Sequence, residues 1–222
     1  MQLFMKIVSR DQFEDSLSPI YSNHKTPKER EIEFLYSNYT KNEEIWWGNF
    51  NSIKYVNLVL LGEAPLRTDN YIYKNSKKKV VQSPFLNYKI IQEILRSHGH
   101  NFKINSQEDF ISALNIIGLV VIDMFPFTFN NEQTTFQYGT TKRVNILLDQ
   151  IFELSKAWNI EPKLEAINNI SRKKLKYAIR YKKHYSRCNK YFPKLNLINL
   201  SSTNMGINKT LLEAQFEKIN LH

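Results

Sequence analysis

The stretch Val56-Asn57-Leu58-Val59-Leu60-Leu61-Gly62-Glu63-Ala64-Pro65 decides the fold. Its apolar run stops abruptly at Gly-Glu-Ala-Pro, and a polar, aromatic segment follows. A short apolar run bounded by turn residues reads as a buried strand, here Val56 to Leu61. Gly62 and Pro65 turn the chain at the strand's carboxyl end, which is where open α/β sheets bind ligands. Glu63 puts a carboxylate at that edge.

Two further strands follow the same logic. Gly118 leads into Leu119-Val120-Val121-Ile122-Asp123-Met124-Phe125-Pro126, a buried run with an acid at its end. Leu195 to Leu200 is a third, short one, followed by a polar turn. Between the strands the pattern is helical. Thr26-Pro27-Lys28-Glu29 has the form of a capping box with Pro at the first helical position. Ser106-Gln107-Glu108-Asp109 opens a helix, and another runs from Ser83-Pro84-Phe85 to near Gly99. Val144, Leu147, Leu148, Ile151 and Leu154 mark a helix after residue 141, and Leu164 to Tyr185 reads as one or two more. Thr210 to Ile219 closes the chain as a helix. Residues 66–84 form a long polar loop carrying Tyr71, Tyr73 and Lys77-Lys78-Lys79. The expectation is one α/β domain over residues 1–222. It is a three-layer α/β/α fold with a short, mainly parallel central sheet, helices over 1–54 and a basic helical region over 127–193.

The chain has 222 residues and a net charge of +10. A charge of that size predicts attraction to a polyanion, nucleic acid first. Its placement matters more than its size. Arg172, Lys173, Lys174, Lys176, Arg180, Lys182, Lys183, Arg187 and Lys190 fall between Ser171 and Lys190 with no acid among them. Tyr177, Tyr181 and Tyr185 are interleaved at a spacing of four, which puts them on one face of a helix. Such a face either stacks bases or lies on the core.

The single cysteine, Cys188, forms no internal disulfide and holds no zinc or iron–sulfur cluster. The five histidines have no metal-ligand spacing, and no apolar run is long enough to span a bilayer. No signal peptide is read at the amino terminus. The expectation is a cytoplasmic monomer without metal or organic cofactor. Scattered glycines give no phosphate loop, and a Ser nucleophile elbow is missing, which argues against nucleotide hydrolysis and serine-hydrolase chemistry.

Three segments together resemble the uracil-DNA glycosylase superfamily. Gly62-Glu63-Ala64-Pro65 resembles its first motif. Gly118 to Pro126 is similar to its second, with Asp123 where the family has an Asn that reads the base edge. Asn199-Leu200-Ser201-Ser202-Thr203-Asn204-Met205-Gly206-Ile207-Asn208-Lys209 looks like the His-Pro-Ser-Pro-Arg-Asn…Asn-Lys segment of the single-strand-selective monofunctional branch. Ser201, Asn204, Asn208 and Lys209 are in register; Asn199 takes the histidine position, and Leu200 and Ser202 replace the prolines. The likeness covers roughly residues 55–126 and 194–220. The family's third strand belongs in 127–193, where no good apolar run is visible and helices are expected instead.

The resemblance implies hydrolysis of the N-glycosidic bond of a flipped damaged or modified base in DNA, as in base excision repair. Phe85, or Tyr73, would stack on the base. Asp123 would read its edge, and Asn199 would donate to a base carbonyl. Glu63 or Asp69 would orient water, Glu63 being the first choice by its place at the strand end. Ser201, Ser202, Thr203, Asn204 and Lys209 would hold the backbone, with Lys174 and Arg180 in the basic region, and Met205 would wedge into the gap. Ala64 stands where the best-known branch has a catalytic Asp. An ionised Asp123 accepts hydrogen bonds only, so it suits an exocyclic amine better than the O4 of uracil and points to a modified cytosine. Two other readings stay open: a catalytically inactive nucleic-acid-binding protein of the same fold, and an unrelated α/β protein whose basic region binds RNA.

Overall fold

A computed structural model describes residues 7–21, 29–64, 71–75, 86–128, 142–171, 175–179, 182–201 and 207–216. In chain order the elements are α1 (Arg10–Tyr21), α2 (Glu29–Phe50), β1 (Leu58–Gly62), α3 (Tyr88–Ser97), α4 (Gln107–Ile117), β2 (Leu119–Asp123), α5 (Lys142–Asn159), α6 (Glu161–Ile170), β3 (Lys176–Ile179), α7 (Lys182–Tyr191), β4 (Leu197–Asn199) and α8 (Lys209–Glu213). The expected class, α/β on a short parallel sheet, is what the chain adopts. The strand order is β2-β1-β3-β4. Leu58 to Leu61 pair with Lys176 to Ile179, and Tyr177 to Ile179 pair with Leu197 to Asn199. All five residues of β1 are buried, as the unbroken apolar run requires.

The third strand lies where the sequence pattern had put helix. α6 ends at Ile170, and Lys-Tyr-Ala-Ile enters the sheet between β1 and β4. Four residues behind a run of lysines give too short a pattern to register, and pairing on both sides overrides the helical spacing of the tyrosines. The shared tyrosine face therefore does not exist. Tyr177 is buried in β3 with its hydroxyl donating to Asn168 Oδ1 at 3.2 Å, and Tyr185 is on α7. Tyr181, the Thr26 capping box and most of the 66–84 loop lie outside the described residues. The closing helix is shorter than expected, ending at Glu213 with a turn to Phe216.

Two compact units make up the chain. The first comprises Met1–Asn51, Glu63–Tyr71 and Asp123–Ala166. Its core is aromatic: Phe13 stacks on Tyr39 at 5.1 Å and also meets Phe127 and Trp158. Trp46 stacks on Phe50 at 5.0 Å. The second comprises Ser52–Gly62, Ile72–Ile122 and Ile167–His222, and it is built on the sheet. There α7 packs on β3 and β4, and α3 packs on α4 and α8.

Helix ends in the second unit follow sequence rules. Asn87 caps α3, and Ser106 and Asp109 form a reciprocal capping box on α4. Gly118 ends α4 in the left-handed region, φ +67°. Its carbonyl accepts from Asn57 N at 2.8 Å and Leu58 N at 3.1 Å. Tyr55 Oη and Asn57 Nδ2 donate to the neighbouring carbonyls of Ile116 and Ile117. The approach to β1 is thereby tied to the approach to β2. A Cβ at Gly118 would lie 3.0 Å from Tyr55 O and Asn57 Nδ2. Gly118→Ala should cost about 1–3 kcal/mol, since both the backbone angle and the space oppose it. Gly48→Ala, in α2 with nothing within 4 Å of the added carbon, should gain about 0.5–1 kcal/mol. Urea unfolding midpoints of the two variants should move in opposite directions.

Candidate functional site

The strand order creates a topological switch point. From β1 the chain passes to β2 on one side, and from β3 it passes to β4 on the other, so connections diverge between β1 and β3. Ligands of open α/β sheets bind outside the carboxyl ends of the strands at that point. Here it is flanked by Gly62 and by Ile179, whose carbonyl accepts from Leu200 N at 2.9 Å.

Asn199 ends β4 on the same edge. Its Oδ1 accepts from Ser201 N at 3.0 Å and from Ser201 Oγ at 2.7 Å. A main-chain N–H only donates, so the amide oxygen is fixed toward Ser201 and the NH2 group is left to donate elsewhere. The Ser201 hydroxyl proton is engaged with Asn199. Ser201 also pairs with Ile207 in an antiparallel bridge, and Asn208 N donates to Leu200 O at 2.8 Å. These bonds close the base of the loop between them. Its residues Ser202, Thr203, Asn204 and Met205 lie outside the described residues, as do Phe85, Asp69, Lys174 and Arg180. Asn208 caps α8 by accepting from Leu211 N. Lys209 is exposed and ion-paired with Glu93, with Glu213 at 3.8 Å.

Tyr73 is not presented to solvent. It is buried, and its hydroxyl oxygen accepts from Val121 N in β2 at 2.6 Å. Two cations of the basic segment also serve the fold: Lys176 Nζ donates to Gln215 O at 2.8 Å, and Arg187 is buried. Burial pushes the Cys188 thiol up to about 12, against the pull of Arg187, which removes it as a nucleophile.

In the first unit, Glu63 and Asp123 belong to a polar cluster that extends well beyond the strand ends. The Glu63 carbonyl accepts from Phe125 N at 3.0 Å, and its side chain keeps partial exposure. Asn159, on α5, donates through Nδ2 to the carbonyls of Asp123 and Met124, both at 3.2 Å. Its Oδ1 accepts from Lys163 Nζ at 3.0 Å. Lys163, on α6, makes an ion pair with Glu43 of α2 at 2.5 Å and sits 5.3 Å from the Trp46 ring centre. Glu43 and Lys163 are both buried. Burial raises the Asp123 carboxyl to about 7, Lys163 opposes the rise, and the charges of Glu43 and Glu63 add to it. Such a carboxyl is split near neutrality between an acceptor-only form and a form that can donate. Sequence reasoning missed Glu43, Asn159 and Lys163. They are far apart in the chain, and each reads as an ordinary polar residue of a helix.

Among the described residues no group of three or more His, Cys, Asp or Glu could hold a metal ion, and no helix is long and apolar enough to cross a membrane. Comparison with family models, curated proteins and solved structures finds no match for the chain.

The raised Asp123 carboxyl has a signed effect on stability. Below about pH 4 folded and unfolded chains both hold the proton; between about 4 and 7 only the folded chain keeps it, so rising pH erodes stability until both forms are ionised. A separation of about three pH units corresponds to roughly 4 kcal/mol at full burial, and less for this partly exposed side chain. Asp123→Asn should remove that slope. Urea unfolding from pH 4 to 8 should show the variant gaining on the wild type as pH rises. Parallel curves would reject the assignment.

Proposed function

We propose that the protein is a DNA glycosylase-like hydrolase acting on the N-glycosidic bond of a damaged or modified base flipped out of DNA. The observation that carries the reading is the parallel strand order, with Gly62-Glu63, Asp123 and Asn199 at strand carboxyl ends and the switch point beside Gly62. The base must leave the stack to be cut, at a cost of about a few kcal/mol. In this reading Phe85 stacks on it, and the Asn199 amide donates to the carbonyl oxygen that gains charge as the bond breaks. Glu63 orients the attacking water. Ser202, Thr203, Asn204, Met205 and Lys209, with Lys174 and Arg180, engage the strand. No metal or organic cofactor is invoked, and a monomer in a reducing cytoplasm fits the single buried cysteine.

Asp123 gives the reading a pH signature. Its neutral form donates to a ring carbonyl; its ionised form accepts from an exocyclic amine such as that of a modified cytosine. Preference should therefore move from carbonyl-bearing bases toward amine-bearing bases as pH rises through about 7.

A second reading, binding without catalysis, is favoured by Ala64 at the position of the expected carboxylate and by an amide in place of imidazole at Asn199. Abasic-site formation on oligonucleotides carrying uracil, hypoxanthine or modified cytosines separates the two. Glycosylase action predicts cleavage that falls by about 10²–10⁴-fold in Glu63→Gln while binding persists. Binding with no abasic sites on any substrate supports the second reading. In either case the net charge of +10 predicts an affinity for DNA that falls steeply with salt. A salt-independent affinity, measured by titration at several ionic strengths, would remove nucleic acid as the partner.

A further inference from the structure

An ammonium and a carboxylate are closed inside the first unit. Lys163 of α6 and Glu43 of α2 are buried and pair at 2.5 Å, and the Trp46 ring centre lies 5.3 Å from Lys163 Nζ. Stability alone does not call for them, since apolar side chains of similar volume often replace a buried ion pair without loss. What the pair touches next is the end of β2. Lys163 Nζ also donates to Asn159 Oδ1 at 3.0 Å. Asn159 Nδ2 donates in turn to the main-chain carbonyls of Asp123 and Met124, both at 3.2 Å. A carbonyl only accepts, so this buried amide has one orientation, its oxygen toward the ammonium and its nitrogen toward the main chain. Three side chains thus connect α2 without a break to the backbone that carries the Asp123 carboxyl.

The carboxyl itself is held differently. Among the described residues no group hydrogen-bonds it, so its oxygens remain for a ligand. The charges that act on it are Lys163 from α6, Glu43 from α2 and Glu63 from beyond β1. Lys163 favours its ionised form, and the two carboxylates oppose that form. We propose that Lys163 is a positioning residue for Asp123, holding its main chain through Asn159 and favouring its ionised form, with Glu43 setting how much of the cation Asp123 feels. With Asp123 meeting the base, as in the function proposed above on which this rests, the buried pair settles whether an amine or a carbonyl is preferred. A determinant of base choice then lies in closed interior rather than on the binding surface.

The probe is the Asp123 carboxyl signal, followed by carbon-13 NMR across the pH range in the DNA-free protein and assigned by its loss in Asp123→Asn. In the wild type its midpoint should lie at about 7. Lys163→Met should raise the midpoint by about one pH unit, and Glu43→Gln should lower it by about as much. A merely structural role gives another pattern: a loosened core admits water, and both midpoints fall toward the ordinary carboxyl value. Such a common fall, or two unmoved midpoints, would overturn the proposal. Should either single variant fail to fold, the double variant Glu43→Gln, Lys163→Met takes its place, because it leaves no lone buried charge. Lys163 acts on Asp123 more strongly than Glu43 does, so that midpoint should rise; a fall or no change would again overturn the proposal. Base preference is a separate readout. The pH at which preference passes from carbonyl-bearing to amine-bearing bases should move up in Lys163→Met and down in Glu43→Gln. Opposite midpoint shifts with no abasic sites on any substrate would support the role of Lys163 and count against glycosylase action alone. Abasic sites with a crossover that neither variant moves would overturn the control of base choice.

Discussion

The pairing of Lys176–Ile179 with β1 on one side and β4 on the other is the constraint on which the second unit rests. Four residues of β3 are what connects β4 to the rest of the sheet. Without them Leu197–Asn199 would have no neighbour to pair with, and the amide of Asn199 would not stand at a strand end. The switch point exists for the same reason, since it is the insertion of β3 beside β1 that makes the connections diverge. The strand is short, and its hold comes from buried neighbours: Tyr177, Ala178 and Ile179 are all in the core. Its edges are paired on both sides, with β1 along Lys176–Ile179 and with β4 along Tyr177–Ile179.

In the first unit the organising interaction is electrostatic. A buried lysine and a buried glutamate face each other across α2 and α6, and Asn159 passes that contact on to the carbonyls at the end of β2. Buried ion pairs are weak evidence for stability, because removing two charges from water costs about what their attraction returns. Their effect here is on chemistry. Burial raises the Asp123 carboxyl, Lys163 opposes the rise, and Glu43 and Glu63 add to it, so the carboxyl stands close to its midpoint at neutral pH. Small changes in this surrounding charge change which hydrogen bonds Asp123 can make.

Legibility in the sequence followed the strength of the local signal. β1 and β2 were readable because long apolar runs between turn residues leave few alternatives, and the start of α4 was readable from Ser106-Gln107-Glu108-Asp109. β3 was hidden by its length and by tyrosines whose spacing mimics a helix. Glu63, Asp123 and Asn199 could be singled out from their places at strand ends. The partners that tune Asp123 could not, because Glu43 and Lys163 are 120 positions apart and meet only through tertiary packing. Tyr73 shows the opposite failure: an aromatic in a polar loop looked available for stacking, and its hydroxyl is bonded into the backbone of β2.

The chain passes from one compact unit to the other five times. Neither unit is a continuous stretch, so no truncation isolates one. During synthesis the first must wait for the residues up to Ala166 to emerge, and the second for the segments that carry β3 and β4. Contacts so distant in sequence make assembly slow and leave partly built surfaces open meanwhile. A nascent chain of this kind would gain from chaperone shelter, and a lesion in either unit would be felt as poor yield of the whole.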